Sequence, residues 1–430
     1  MCGLILAPNH YSSEGVRRAM DRMKYRGADN ERGVTQHNGW HLGHVRLAIQ
    51  DLSAAGSQPF WSDHKVVAFV GEFFNHNGSE KAFLTDILDS PRLVDFHQAD
   101  GFWSVIEVGY ITKVITDHLG IKPMYWWPEK QIVCSELDPM FELAPKPAFD
   151  EVYLSNCVKF GYDYSGRTPY VGIQQLPPGT VLHLTRGVPG GNLTKYWDWS
   201  KVPTSTDLKS LVDKAIQNRL MSDREVAMLL SGGLDSSIIY YSLKEAGTPV
   251  KAFSVENGES EFLPPGVEVL SLPEVTIEDA VRIMQAPLDL GSLIPQIQLA
   301  RAVKAAGFNV CLTGDGADEL FGGYARAQTY DSQKSDVFCE LPYYHLPRLD
   351  RVMMHETIEL RSPFLAPSVV AAALKLKRAD RTTKQALKAA YADIVPKAIL
   401  ERTKVPLKSS AVRENGLLHR VNLDKEFRNV

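Results

Sequence analysis

The chain has 430 residues, enough for two or three domains that each bury a core. Apolar residues make up 44% of it and charged residues 23%, which is ordinary for a soluble globular protein and excludes wholesale disorder. The net charge of −4 gives no electrostatic reason to expect a nucleic-acid or membrane partner, and no apolar run approaches the roughly 20 residues of a membrane span.

The five cysteines are an odd number, and they are scattered without a Cys-x-x-Cys pair. This usage argues against a zinc site and against a disulfide framework, and it favours a reducing compartment. The N-terminus has no basic region, and its apolar run is too short for a signal peptide. We therefore expect a cytoplasmic protein.

Cys2 stands directly after the initiator methionine. Removal of Met1 would leave a thiol and a free α-amine on one residue. Because such an amine has a pKa of about 7.7–8.0, part of it is neutral near pH 7 and can act as the base for its own side chain. Taken alone, a cysteine at this position is weak evidence for a nucleophile and favours an inert small residue.

The first half is predicted to hold short strands with few helices, rather than a βαβ alternation. The pattern predicts a helix over residues 15–24 and strands over residues 39–49, 66–70 and 102–110. Residues 66–70 form a continuous apolar run, so we expect that strand to be buried on both faces.

Six short motifs follow one another through this half. They are Cys2-Gly3, Tyr25-Arg26-Gly27-Ala28-Asp29, Gly43-His44-Val45-Arg46-Leu47, Gln58-Pro59, Gly71-Glu72-Phe73-Phe74-Asn75-His76 and Asp117-His118-Leu119-Gly120-Ile121-Lys122-Pro123-Met124-Tyr125. Their order resembles that of class II glutamine amidotransferases, N-terminal-nucleophile hydrolases that release ammonia from glutamine.

The resemblance implies a role for several side chains. Cys2 would attack the side-chain amide of glutamine, and Arg46 would pair with the substrate α-carboxylate, for which an arginine fork is suited. Gly71 and Asn75 would help to hold the amide, because a developing oxyanion needs fixed donors. Glu80 stands where the family places an acid for the substrate ammonium.

The motifs also depart from the family pattern. Val70 occupies the position of an asparagine whose side chain donates to the oxyanion, and losing one such donor costs roughly 100- to 1,000-fold in rate. Tyr25 and Ala28 replace the usual histidine and proline. Glutamine hydrolysis is therefore expected to be slow, or to be completed by another donor.

A polar run at residues 202–206 predicts a linker between two domains, at residues 2–200 and 206–430. Beyond it, apolar runs alternate with helical patterns, as in a parallel sheet with helices on both sides. The predicted elements are helices at 208–220 and 295–306 and strands at 226–230, 250–255 and 308–313. The proline at the start of the second helix suits a first helical position.

The turn after the strand at 226–230 is Ser231-Gly232-Gly233-Leu234-Asp235-Ser236-Ser237, with a helix predicted from Ser236 to near Gly247. Glycines let the backbone approach a ligand, and a helix N-terminus favours anions. Hydroxyls suit phosphate oxygens, and Asp235 can hold a bridging magnesium ion. The Gly-Lys-Ser/Thr of a Walker loop is missing. The stretch resembles the pyrophosphate-binding loop of ATP pyrophosphatases, although a Ser/Gly turn without a ligand is the alternative.

A second glycine-rich turn, Thr313-Gly314-Asp315-Gly316-Ala317-Asp318-Glu319, follows the strand at 308–313. A glycine-rich turn after a strand could be a dinucleotide-binding fingerprint. Glu319 stands where that fingerprint needs its third glycine, so a dinucleotide site is disfavoured. In isolation the turn would be a solvated acidic loop. Together with the first turn it resembles the synthetase domain of asparagine synthetases and of the related β-lactam synthetases.

This second resemblance implies further roles. Asp235 and Asp318 would bind Mg²⁺, Asp315 stands where a catalytic glutamate is usual, and Lys384 would neutralise charge at the phosphates. The ATP-binding residues that it implies are Leu230, Ser231, Gly232, Gly233, Asp235, Ser236, Ser237, Val255, Thr313 and Gly314. Most other charges of residues 375–413 are expected to form a solvated basic face.

The expected fold is an α+β N-terminal-nucleophile αββα sandwich followed by an α/β parallel-sheet ATP-pyrophosphatase domain. The expected reaction uses ATP, Mg²⁺ and glutamine to convert a carboxylate to an amide through an acyl-adenylate, giving AMP and pyrophosphate. Aspartate is the first candidate acceptor. Another carboxylate is the alternative, because the segment between Val255 and Thr313 is short for the family; an ammonia-only or non-catalytic relative is the third. The oligomeric state stays open, with a homodimer as one alternative.

Overall fold

The computed structural model describes residues 2–27, 32–76, 78–89, 93–255, 260–287, 293–324, 335–402 and 428. Ala28 and Asp29 of the second motif, and the part of the basic segment beyond residue 402, lie outside the described residues. Within these ranges, no helix is both long and apolar enough to cross a membrane.

The first half forms two six-stranded antiparallel sheets. Their strands are β1 (Gly3–Pro8), β2 (Arg32–His37), β3 (Trp40–Val45), β4 (Phe60–Ser62), β5 (Lys65–Phe73), β6 (Gly101–Val108), β7 (Thr112–Thr116), β8 (Tyr125–Trp127), β9 (Ile132–Cys134), β10 (Gln174–Gln175), β11 (Thr180–Leu184) and β12 (Asn192–Lys195). The first sheet has the order β10-β8-β9-β1-β3-β2, and the second has the order β12-β11-β7-β6-β5-β4. The helices of this half are α1 (Ser13–Arg22), α2 (Glu80–Asp89) and α3 (Glu151–Phe160).

The two sheets are stacked face to face, with apolar side chains from alternate strand positions between them. Leu4 and Leu6 of β1 belong to one buried cluster with Val66 and Ala68 of β5. Alternation of this kind is what a strand buried on both faces produces, because successive side chains point to opposite sides. The predicted burial of residues 66–70 is confirmed.

A helix covers the outer face of each sheet. On one side, Ile5 and Ala7 pack in a cluster with Val16 and Met20 of α1. On the other side, Val67 and Phe69 of β5 belong to a cluster with Leu84, Ile87 and Leu88 of α2. The layers therefore run helix, sheet, sheet, helix; the N-terminal-nucleophile fold itself stays a prediction.

Several boundaries differ from the sequence prediction. α1 begins at Ser13 because the Ser12 side chain accepts a hydrogen bond from Gly15 N at 3.0 Å and caps the helix. β3 ends at Val45 instead of residue 49, because Leu47 and Ile49 turn away to pack against the second half. β5 continues to Phe73 because it pairs with β6 along its whole length.

The second half is built on a five-stranded parallel sheet of order β15-β14-β13-β16-β17. Its strands are β13 (Val226–Leu229), β14 (Lys251–Val255), β15 (Glu268–Leu270), β16 (Val310–Leu312) and β17 (Glu359–Arg361). Its helices are α4 (Leu208–Asn218), α5 (Leu234–Glu245), α6 (Ile277–Met284), α7 (Leu293–Ala305), α8 (Ala317–Leu320), α9 (Leu346–His355), α10 (Pro367–Lys375), α11 (Arg378–Arg381), α12 (Gln385–Ala390) and α13 (Lys397–Glu401).

Shorter helical segments complete the chain. A π-helical segment, Asp336–His345, leads directly into α9. The 3₁₀ turns are Lys24–Arg26, Ala54–Gly56, Leu93–Gln98, Asp138–Glu142, Trp199–Lys201, Ser260–Phe262, Pro363–Leu365 and Thr382–Lys384. The sequence predicted Pro295 as the first residue of its helix, but in α7 it is the third residue of the described helix.

The two halves share a buried interface. Leu47, Ile49 and Phe102 of the first half lie in one apolar cluster with Leu230 and Leu365 of the second. A polar part of the interface surrounds Phe74, whose ring centroid lies 4.9 Å from the guanidinium carbon of Arg219 and 4.9 Å from that of Arg361. The guanidinium groups of Arg219 and Arg361 therefore both make cation–π contacts with the ring of Phe74.

Candidate active sites

Cys2 precedes β1 and is 8% exposed, with its Sγ 3.8 Å from the carbonyl oxygen of Leu47. Burial raises the pKa of its thiol to about 11. Such a thiol is protonated at neutral pH and needs a base before it can act as a nucleophile. The α-amine that removal of Met1 would expose is a base on the same residue.

Arg46 lies beside Cys2 because of the register of the first sheet. Gly3 pairs with Val45, so Cys2 and Arg46 are the next residues along the two neighbouring strands. Arg46 is 3% exposed, and its guanidinium donates to the carbonyl oxygen of Ser53 at 2.9 Å and to that of Asp51. The loop after β3 therefore fixes the predicted carboxylate-binding group next to the predicted nucleophile.

Gly71 is required by its position on β5. Its φ is +108°, and a Cβ at this position would lie 1.9 Å from the carbonyl oxygen of Phe102 on β6. Val70 is 1% exposed and belongs to the same buried cluster as Cys2. The residue that replaces the expected asparagine thus contributes an apolar side chain to the surroundings of the predicted nucleophile.

Asn75 is exposed, and its side chain binds the backbone that leads into β6. Its Nδ2 donates to Gln98 O at 2.7 Å, and its Oδ1 accepts from Asp100 N at 2.7 Å. Both ends of the amide are thus engaged within the protein. Its role in holding the glutamine amide stays a prediction.

Glu80 begins α2 and is half-buried. Its Oε1 accepts a hydrogen bond from Phe73 N at 2.7 Å, which places the carboxyl at the end of β5. Burial, opposed by the hydrogen bond from Phe73 N and assisted by the nearby Glu359, raises its pKa to about 8. The positive charge of a substrate ammonium would stabilise the ionised form of the Glu80 carboxyl.

Glu72 was missed by the sequence analysis as a site residue, although it follows Gly71 in the same motif. It is 4% exposed, and its Oε2 accepts from Gln50 Nε2 at 2.6 Å and lies 3.8 Å from Arg361 Nη2. Burial, together with Glu359 and Glu80, raises its pKa well above the ordinary value. The first half therefore contributes two neighbouring carboxyl groups, Glu72 and Glu80, to the interface, with Arg361 of the other half beside Glu72.

The Ser/Gly turn after β13 is held in shape by its own hydroxyls. Ser231 N donates to Ser236 Oγ at 3.1 Å, and Gly233 N donates to Ser231 Oγ at 3.2 Å. Gly232 has a φ of +76°, which favours glycine. α5 begins at Leu234, two residues before the predicted start, so Asp235, Ser236 and Ser237 lie in its first turn.

Lys384 forms ion pairs with Asp235 and Asp318, the two residues for which the resemblance implies Mg²⁺ binding. Its Nζ lies 2.7 and 2.6 Å from the carboxylate oxygens of Asp235, and 2.5 Å from Asp318 Oδ1. Burial lowers the pKa of Lys384, but the charges of Asp235 and Asp318 outweigh this and raise it above the ordinary value. Both carboxylates bind the Lys384 ammonium, and the described residues contain no group of three or more His, Cys, Asp or Glu side chains that could hold a metal ion. Since Mg²⁺ in nucleotide enzymes takes only one or two carboxylates together with substrate phosphates, the binding of Mg²⁺ by Asp235 and Asp318 stays a prediction.

The backbone around this group is unusual. Thr383 and Lys384 have φ values of +53° and +61°, a region that residues other than glycine rarely adopt. Hydrogen bonds from Thr383 N to Gly322 O at 3.0 Å and from Lys384 N to Phe321 O at 2.9 Å hold this conformation. Strained backbone of this kind is concentrated at functional sites.

The two glycine-rich turns approach each other closely. A Cβ on Gly314 would lie 2.8 Å from Asp235 Cβ and 3.0 Å from Ser236 N. Thr313 Oγ1 donates to Asp315 Oδ2 at 2.5 Å, and burial raises the pKa of Asp315. The implied ATP residues Leu230 and Val255 lie at the same ends of β13 and β14, where a parallel sheet binds ligands.

A cavity of about 30 Å³ lies between the two halves. Phe102, Ile121 and Lys122 line it from the first half, and Asp315 and Asp350 from the second. A space of this size holds one water-sized molecule. The cavity reaches from the interface to Asp315, which follows β16.

Residues 1–86 and 98–197 match a family model described as a glutamine amidotransferase domain. Residues 207–264, 269–342 and 333–422 match one described as asparagine synthase. The chain belongs to the asparagine synthetase family. Its two-domain layout is the one expected from the motifs, with the amidotransferase domain first.

Proteins similar to this chain differ in their names. Asparagine synthetase 3 of Arabidopsis thaliana is 24% identical over 481 residues, which cover 94% of this chain and 78% of the relative. Asparagine synthetase B of Escherichia coli is 25% identical over 426 residues, covering 84% and 71%. Amidase chyE of Penicillium rubens is 26% identical over 417 residues, covering 80% of this chain. The match spans only 60% of that amidase's length.

Proposed function

We propose that this protein is a glutamine-dependent ligase that forms an amide from a carboxylate through an acyl-adenylate, with aspartate as the first candidate acceptor. The observation that carries the proposal is the convergence of Lys384, Asp235 and Asp318 beside the Ser/Gly turn. A cation held by two carboxylates next to an anion-binding turn suits the cleavage of ATP at its α-phosphate.

In the first half, an N-terminal-nucleophile site would hydrolyse glutamine. The α-amine of Cys2 takes the thiol proton, Sγ bonds to the amide carbon, and ammonia leaves with that proton. Water then cleaves the thioester to give glutamate and restores the thiol. Arg46 holds the α-carboxylate of glutamine, and Glu80 in its ionised form holds the ammonium.

In the second half, a carboxylate oxygen of the acceptor bonds to the α-phosphorus of ATP, and the bond to pyrophosphate breaks. Lys384 offsets the charge that develops on the leaving pyrophosphate. Asp235 and Asp318 would hold a magnesium ion, which would add positive charge beside the phosphate oxygens. The domain boundaries proposed for the two halves are residues 2–200 and 206–430.

Ammonia would cross between the halves through the cavity that Lys122 and Asp315 line. It bonds to the acyl carbon, AMP leaves, and Asp315 takes the surplus proton, for which a raised pKa is suited. The balanced reaction converts the carboxylate, ATP, glutamine and water to the amide, AMP, pyrophosphate and glutamate.

A second candidate is the same chemistry on another carboxylate. The amidase relative favours it, because it is as similar to this chain as the asparagine synthetases are. A third candidate, an ammonia-dependent enzyme, is favoured by the apolar Val70 in the buried cluster that contains Cys2.

Pyrophosphate release across a panel of carboxylates, with glutamine or ammonium as nitrogen source, separates the candidates. Aspartate-dependent release with either source supports the first, and release with another acid alone supports the second. Release with ammonium but not with glutamine supports the third. Cys2→Ala should abolish glutamine-dependent release and keep ammonium-dependent release; equal loss of both contradicts two separate sites.

A further inference from the structure

Arg26 connects the predicted nucleophile to the other half of the protein. Its Nε donates to the main-chain carbonyl oxygen of Cys2 at 3.0 Å, and its Nη2 donates to Asp350 Oδ2 on α9 at 2.8 Å. Arg26 is 1% exposed and Asp350 is 6% exposed. A pair of charges this deeply buried crosses from the segment beside Cys2 to a helix that follows it by more than 300 residues.

Three more buried contacts complete the orientation of Arg26 and Asp350. Arg26 Nη1 donates to Glu136 Oε1 at 2.6 Å, and Glu136 Oε2 accepts from Arg351 Nε at 2.9 Å. Asp350 Oδ1 accepts from Lys122 Nζ at 2.8 Å. We call these five residues, Arg26, Lys122, Glu136, Asp350 and Arg351, the Arg26 network.

All three nitrogens of the Arg26 guanidinium therefore have a separate acceptor. Because the group is planar and rigid, three charge-assisted or carbonyl contacts fix its position and its tilt. Removing the Asp350 charge would leave Lys122 buried without this carboxylate and Arg26 with Glu136 as its one remaining carboxylate partner in the network, and buried charges in such a state relax to new positions. The carbonyl of Cys2 would then lose a fixed donor.

Asp350 and Lys122 also line the cavity between the two halves. The carboxylate that holds the anchor of Cys2 is thus part of the proposed path of ammonia. Asp350 of the second half therefore contacts Arg26 and also lines the cavity. A small movement of α9 would shift Arg26 and, through it, the main chain of Cys2.

We propose that Asp350 is a positioning residue for the glutaminase reaction, acting through Arg26 on the main chain of Cys2. The inference rests on the proposed role of Cys2 as nucleophile. It assigns the synthetase half a direct influence on the geometry of the glutaminase site.

The test compares wild type with Asp350→Asn, which keeps the side-chain volume and removes the charge. We expect kcat for glutamine hydrolysis to fall at least tenfold with KM within about threefold, because Arg46 and Glu80 are untouched. Asp350→Glu, which keeps the charge, should recover part of the loss. Alkylation of Cys2 by iodoacetamide, located by mass spectrometry, should become faster, because the residue is held less firmly.

The matched control is Gln175→Leu. It removes a different buried contact between the halves, from Gln175 Nε2 to Pro342 O at 2.8 Å, on a strand that is not next to β1. Equal effects of Gln175→Leu on kcat and on alkylation would overturn the proposal, because they would show general loosening of the interface. Lys122→Met, which removes one partner of Asp350, should change both readouts in the same direction if Asp350→Asn does not fold.

The alkylation readout separates this inference from the proposed function. A wild type without glutaminase activity would refute the proposed role of Cys2, while Cys2 alkylation would still report its positioning. An active wild type with unchanged kcat and unchanged alkylation in folded Asp350→Asn would refute the positioning role alone.

Discussion

Lys384 Nζ lies 2.6 Å from a carboxylate oxygen of Asp235, although 149 residues separate them in the chain. Asp318 shares the same ammonium at 2.5 Å. The fold therefore brings together three charged groups that belong to distant motifs. In the proposed function, Lys384 would meet the phosphates of ATP at this end of the parallel sheet.

Gly323→Ala should disrupt this group. A Cβ on Gly323 would lie 1.9 Å from Asp318 Oδ1 and 2.4 Å from Lys384 Cε, so both side chains, or the backbone of residue 323, must move. We expect ammonium-dependent pyrophosphate release to fall by about 100-fold, the scale of losing one electrostatic contact to a transition state. Glutamine hydrolysis should be unchanged, because Cys2 lies in the other half.

The control for that substitution is Gly109→Ala, whose Cβ would meet its nearest atom, Lys65 Cγ, at 3.6 Å. Both half-reactions should survive it. Full synthetase activity in Gly323→Ala would show that Lys384 and Asp318 are not placed for catalysis as described.

Val70→Asn should raise the rate of glutamine hydrolysis. The change would restore a side-chain amide beside Cys2, and one oxyanion donor contributes about 100- to 1,000-fold when its geometry is good. An increase of tenfold or more in kcat is expected, with a stability loss of about 1–3 kcal/mol from the polar group in an apolar cluster. Val70→Ala, which adds no donor, should not accelerate the reaction. No acceleration in folded Val70→Asn would mean that another donor already occupies this role.

The affinity for glutamine should depend on pH through Glu80. Its pKa of about 8 means that the carboxylate needed for the substrate ammonium is a minor form at pH 7 and the major form at pH 8.5. In the Cys2→Ala background, which separates binding from chemistry, the dissociation constant should fall on the order of tenfold between these pH values. Calorimetric titration measures it, and Glu80→Gln should abolish the trend. An equal trend in both variants would assign the titration to another group.

The Arg26 network should lose stability in acid. Burial raises the pKa of Asp350, but Arg26 and Lys122 outweigh this and lower it from 3.8 to about 2. Because the folded pKa is the lower one, the contribution of about 2 kcal/mol is present above pH 4 and is lost as the pH falls through 2. The difference in melting temperature between wild type and Asp350→Asn should therefore narrow from pH 5 to pH 3. A constant difference would show that the carboxylate is not ionised against Arg26 and Lys122.

The parts of the fold that depend on local pattern could be predicted from the sequence. The apolar strand before the Ser/Gly turn was placed within one residue of β13, because strand, glycines and helix are contiguous. The start of α5 was predicted two residues late, because Gly233 occupies the N-cap without a side chain that marks it. The predicted strand lengths were wrong where pairing with another strand determines the length. β5, for example, extends to Phe73 because it pairs with β6.

The candidate sites were predictable only where a motif carried them. The meeting of Asp235, Asp318 and Lys384 followed from resemblance, since no spacing in the chain brings residues 149 positions apart together. The Arg26 network was not predicted, because its members come from separate segments and meet only when the two halves dock. The roles assigned to Asn75 and Glu80 stay predictions.

The most direct test of the account is to identify the nucleotide products formed from ATP in the presence of glutamine and the acceptor carboxylate. The account predicts AMP and pyrophosphate in equal amounts, matched by the amide and by at least as much glutamate. Formation of ADP and phosphate would contradict it, because the pocket around Asp235 and Lys384 would then not cleave ATP at the α-phosphate.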